Sequence, residues 1–129
     1  MNKKLRQFKT GATRNNADNK LDYEGFINPI VEWAFAQYIH KHLLLEDGTM
    51  RASDNWQLGI PQQELMKSAH RHWQDLRLIQ RDYTVGENGK IVSKLDALLG
   101  LKFNIDAMVY DELKNNKVVD RNYVRIDTE

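Results

Sequence analysis

"SDNWQLGIPQQELMKSAHRHWQDLRLIQR", residues 53–81, is the stretch on which the fold turns. Leu65, Met66, Ala69, Trp73, Leu76 and Ile79 recur at three- and four-residue steps, which is the apolar stripe of an amphipathic helix. Pro61 suits a first helical position, because the N–H it lacks would be unpaired there anyway. The spacing therefore predicts a helix from Pro61 to about residue 81. The segment also concentrates polar chemistry. Asp54, Asn55 and Trp56 stand just ahead of the helix, and Arg71, His72 and Asp75 lie on it. Positions 68, 72, 75 and 79 share a face, so Asp75 is placed to orient the His72 imidazole, and the Arg71 fork of donors suits a phosphate. The plainer alternative is an exposed helix carrying a weak Arg71–Asp75 surface pair.

Upstream, "PIVEWAFAQYIHKHLLL" from Pro29 places Ile30, Trp33, Ala34, Tyr38, Ile39 and Leu43 at helical steps, with Asn28 as the cap, and predicts a helix over 29–44. His40 and His42 suit the negative end of that helix as structural or solvated groups. The connection "LEDGTMRASDNWQLG" has turn chemistry at Asp47-Gly48. Downstream, Gly86 and Asn88-Gly89 in "RDYTVGENGKIV" predict a tight turn or small hairpin. "GENGK" lacks the spacing of a phosphate-binding loop. Ser93 then caps a third helix, for which Leu95, Leu98, Leu99, Ile105, Met108, Val109 and Leu113 are the core candidates. Asp96, Gly100 and Asn104 repeat at four-residue steps on that helix, forming a polar strip with a gap that faces away from the leucines.

Composition bounds the rest. A chain of 129 residues is the size of one compact domain. Nineteen Lys and Arg balance 18 Asp and Glu, so no overall field draws nucleic acid or an anionic membrane, and an anion site must be local. With no cysteine, His and carboxylates are the only strong metal ligands. No segment has the length and apolarity of a membrane span, and the basic start is followed by no apolar run, so the expectation is a soluble, unprocessed, cytoplasmic protein. Residues 1–22 read as a flexible or partner-ordered arm, 23–116 as a helical domain and 117–129 as a tail or edge strand. The expected fold is all-α, a small bundle of three main helices. Trp33, Trp73 and Phe103 offer it more apolar surface than so few elements enclose, which predicts a dimer or higher homo-oligomer.

Four blocks, "KLDYEGFINP", "SDNWQLGIP", "KSAHRH" and "LDALLGLKFN", occur in the order and approximate spacing of a dATP/dGTP diphosphohydrolase-like family found largely in phages and related to the MazG-type all-α NTP pyrophosphatases. The chain resembles that family over roughly residues 8–112. The resemblance implies a nucleotide pocket between helices and a Mg2+- or Mn2+-dependent cleavage of a purine dNTP to dNMP and pyrophosphate. Carried over by matching blocks, it implies Asn55, Trp56, Lys67, Arg71 and Asn104 as nucleotide contacts, with Trp56 stacking on the base. It implies His72 as a general base or a group supporting one, which with Asp75 beside it on the helix makes the catalytic candidate, and Glu24, Asp54 and Asp96 as metal ligands. The MazG-type glutamate pair three residues apart is missing here. A non-catalytic binder that sequesters a nucleotide signal, or that acts on a host (defence) protein from the host cytoplasm, therefore stands beside the enzyme as an alternative.

Overall fold

The computed structural model describes residues 5–15, 20–115 and 117–120. The chain divides into two units, one made of residues 1–27 with 117–129 and the other of residues 28–116.

In the first unit, strands β1 (Leu5–Gln7) and β2 (Thr13–Asn15) pair antiparallel, with Arg6 opposite Arg14. The arm expected to lack regular structure thus holds a hairpin. Strands of three residues are too short to show a period of two in sequence, and Gly11, at φ 91°, makes the reversal. One short turn of helix, α1 (Tyr23–Phe26), follows, capped by Asp22, whose Oδ1 accepts from the Gly25 N–H at 2.9 Å. The strand expected in the tail lies outside the described residues beyond 120, and 117–120 carry neither helix nor strand.

The second unit is helical. Helix α2 (Pro29–Lys41) begins as its sequence predicts: Pro29 occupies the first turn and the Asn28 side chain accepts from the Ile30 N–H at 3.0 Å. It stops short of residue 44 because the chain turns at His42, whose Nδ1–H donates to the Tyr38 carbonyl at 2.8 Å. Helix α3 (Gln62–Ile79) starts one residue later than expected, with Pro61 as its cap residue rather than its first helical one. The β3 (Gly86–Glu87) and β4 (Lys90–Ile91) hairpin turns on Asn88 and Gly89 at φ 51° and 78°, two positive values that an Asn-Gly pair adopts at low cost. Helix α4 (Lys94–Leu113) is capped as expected by Ser93, whose hydroxyl accepts from the Asp96 N–H at 3.0 Å.

Helix α4 is central: α3 packs along it and α2 contacts it. Its buried face is not the leucine stripe. Ala97, Gly100, Asn104 and Ala107 point inward with Leu99, whereas Leu95, Leu98, Ile105, Val109 and Leu113 are exposed. On α3 the buried residues are Leu65, Ala69 and Leu76, with Ser68, His72 and Asp75 half-buried on the same side, while Met66 and Trp73 are exposed. The reason is steric. Small residues at i, i+3 and i+10 of α4, Ala97, Gly100 and Ala107, let α3 approach closely, and a leucine face would hold it away. The leftover leucines, with Trp33 and Trp73, form apolar surface that nothing in this chain's second unit covers. No helix among the described residues is long and apolar enough to cross a membrane.

The closest approach is at Gly100. A Cβ built there would meet the His72 ring at Cε1, and would lie 2.6 Å from Nε2 and 2.7 Å from Nδ1. Alanine would normally gain about 1 kcal/mol over glycine inside a helix, but here the overlap outweighs that gain. Gly100→Ala is expected to lower stability by about 1–3 kcal/mol. In thermal unfolding, adding His72→Ala to Gly100→Ala should recover part of the loss, and strict additivity of the two changes would contradict the contact.

Candidate functional site

The loop between α2 and α3 folds back over the bundle. Leu44 bridges to Met50 around a turn in which Asp47 Oδ1 accepts from the Thr49 N–H at 2.9 Å and its hydroxyl at 2.6 Å. These bonds hold the Asp47 carboxyl below the usual range. Arg51 is tied to the end of α2 by its Nη1 donating to the His42 carbonyl at 3.2 Å. A 3-10 turn over Asn55–Leu58 then places Trp56 edge-on against Tyr110 at 5.1 Å and Phe103 at 6.3 Å between ring centroids. The turn ends at Gly59, whose φ of 112° suits glycine alone.

Beneath this loop is a cavity of about 350 Å3. Trp56, Phe103, Tyr38, Ile39, Leu43 and Ile60 supply its apolar walls. Asn55, Ser53, Ser68, Asn104, Arg51 and the two histidines His42 and His72 supply its polar groups. A second, more polar hollow of about 570 Å3 adjoins it, sharing Tyr38, His42, His72 and Glu87. Asp75, Asp96, Lys41, Asn88 and Lys90, with Ile91 and Val92, complete that lining. Such a pairing, apolar walls beside a polar mouth, is what a ligand with a flat ring at one end and polar groups at the other requires.

His72 stands where the two hollows meet. Burial holds its imidazole below the ordinary value of 6.5, Asp75 and Glu87 oppose that effect, and Arg71 and His42 reinforce it. Burial also raises the Tyr38 hydroxyl, with Asp96 and Glu87 acting in the same direction. Asp96 is engaged by Lys41, Nζ to Oδ2 2.9 Å, an ion pair that joins the end of α2 to the start of α4.

The residues singled out by sequence separate into three groups. Asn55, Trp56, His72 and Asn104 line the first cavity, and His72, Asp75 and Asp96 line the second. Lys67, Arg71 and Asp54 are exposed and line neither; Lys67 lies 4.0 Å from Glu64. Glu24 is an exposed residue of α1, in the other unit. Among the described residues no three His, Asp or Glu side chains are grouped so as to hold a metal ion. Within the second unit, Asp54 lines neither hollow and Asp96 is paired with Lys41, so these two do not form a shared ligand set for a magnesium ion. Sequence reasoning missed Arg51, Tyr38 and Glu87. Arg51 and Glu87 come from loop and hairpin, where no period marks a facing side, whereas Tyr38 had been assigned to the apolar stripe of its helix.

No protein-family model, curated protein or solved structure matches the chain.

The lowered proton affinity of His72 has a thermodynamic consequence. The folded chain resists protonating this ring, while the unfolded chain takes up the proton near 6.5. The stability His72 supports is intact above that value and is lost as the pH falls below it. Melting temperature should therefore drop between about pH 7.5 and pH 5.5, and drop less in His72→Gln, as followed by circular dichroism. An equal drop in both proteins would contradict the assignment.

Proposed function

We propose that the cavity binds a purine nucleotide, with the base between the aromatic and aliphatic walls and the phosphate at Arg51. The observation that carries this reading is the convergence of Trp56, Phe103 and Tyr38 with Arg51, Asn55, His72 and Asn104 around one hollow of about 350 Å3. The aromatic faces favour a flat, polarisable ring, and the guanidinium suits a phosphate oxygen pair. The four sequence blocks shared with the dATP/dGTP diphosphohydrolase-like family support the same ligand class. Binding, rather than turnover, is the version put forward, because the sequence lacks the MazG-type glutamate pair and Asp54 and Asp96 of the second unit line no common hollow. The second reading is hydrolysis to dNMP and pyrophosphate, favoured by the gathering of His72, Asp75, Glu87 and Asp96 around the adjoining hollow.

Calorimetric titration with dATP and dGTP tests the proposal. Arg51→Ala should weaken binding by about tenfold or more, the loss of a charge-assisted contact, whereas Arg71→Ala and Lys67→Ala should leave it within about twofold. The reverse ranking would move the phosphate to α3. Release of pyrophosphate with manganese present should be absent, and release abolished by Asp96→Asn would establish the enzyme instead.

The exposure of Leu95, Leu98, Ile105, Val109 and Leu113 along α4 supports a homo-oligomer, since an assembly would take such large apolar side chains out of water. Light scattering at micromolar concentration should give at least twice the 15.1 kDa chain mass, and Leu98→Glu with Ile105→Glu should reduce it to one. A monomeric native chain would remove the assembly from the proposal.

A further inference from the structure

Asn104 is the one polar or charged residue buried in the core among the described residues, 3% exposed, and it stands on the seam between α3 and α4. Its Nδ2 donates to Ser68 Oγ at 3.0 Å and to the Gly100 carbonyl at 2.9 Å. A carbonyl can only accept, so the second bond fixes which end of the amide is nitrogen. Both N–H groups are thereby spent, and no donor among the described residues bonds Oδ1. Among the described residues no fully enclosed side-chain oxygen or nitrogen lacks a partner, so Oδ1 keeps an opening. The space Asn104 lines is the aromatic-walled cavity.

A ligand that fills this cavity displaces the water available to Oδ1, and an acceptor left dry costs more than an ordinary hydrogen bond gains. The occupant must bring a donor. Resting on the nucleotide reading above, we propose that Asn104 is a specificity residue that accepts a hydrogen bond from an exocyclic amino group of the bound purine. An amino group projects beyond the ring and reaches a recessed acceptor. A 6-oxo group would set oxygen against oxygen, and a purine bearing only hydrogen there would leave Oδ1 unpaired.

The test is a calorimetric comparison of 2′-deoxyadenosine 5′-monophosphate with two analogues, one having hydrogen and one having oxygen in place of the amino group. A monophosphate holds no phosphoanhydride, so cleavage cannot confuse the readout. Each analogue should bind about tenfold more weakly or worse. Equal affinity for all three would overturn this inference and leave the nucleotide reading standing; no binding by any of them, nor by dATP or dGTP, would overturn both. In folded Asn104→Ala the preference should fall to about one, and a preference that persists overturns the assignment. Should that variant fail to fold, a crystal structure of the native chain with the monophosphate decides: the amino nitrogen within hydrogen-bond distance of Oδ1 supports it, and any other placement overturns it.

Discussion

The second unit depends on how closely α3 approaches α4. Ala97, Gly100 and Ala107 present almost no side chain to α3, and the imidazole of His72 occupies the space a single methyl group at position 100 would take. That approach does two things. It buries Asn104 deeply enough that its amide nitrogen must be satisfied within the protein, by Ser68 and by the Gly100 carbonyl. It also turns the larger side chains of α4 outward, which leaves Leu95, Leu98 and Ile105 in solvent and makes the helix two-sided.

The periodicity of the sequence was enough to find the helices but not to orient them. Caps at Asn28 and Ser93 are local bonds, made by the side chains that sequence marks as able to make them, and the Asn88-Gly89 turn follows from backbone preference alone. On α4 hydrophobic size does not mark the inward face, since Leu95, Leu98, Ile105 and Val109 are exposed while Ala97 and Ala107 are buried. In a tight helix pair the smallest residues are buried and the large ones lie on the flanks, and Gly100 and Asn104, visible as a polar strip with a gap, were the evidence for it. The hairpin of β1 and β2 escaped because strands of three exposed residues bury nothing that would impose a pattern.

The candidate site was legible where one helix face carries it and illegible where the loop supplies it. His72 and Asp75 on α3 share the second hollow because a helix fixes the relative placement of residues three apart, while α4 sends Asp96 to that hollow and Asn104 to the first. Asn55 and Trp56 reached the cavity through the 3-10 turn and the edge contacts of Trp56 with Tyr110 and Phe103. Arg71 illustrates the opposite case. It follows His70 and precedes His72 on α3, yet one step along a helix is about 100° of rotation, enough to take it off the cavity face. Arg51 enters instead through its guanidinium, which donates to the His42 carbonyl at the end of α2, a link that no sequence spacing encodes.

The seam of α3 and α4, roofed by the 53–60 loop, is the nucleotide pocket we propose. Chemical-shift mapping during titration of the isotopically labelled native chain with dATP addresses it most directly. The account predicts saturable shifts at the Asn104 side-chain amide, the Trp56 indole N–H, the His72 ring and the Arg51 guanidinium, with Arg71 and Lys67 nearly still. Saturable shifts confined to Arg71, Lys67 or the 5–15 hairpin, or none at all up to millimolar ligand, would contradict it.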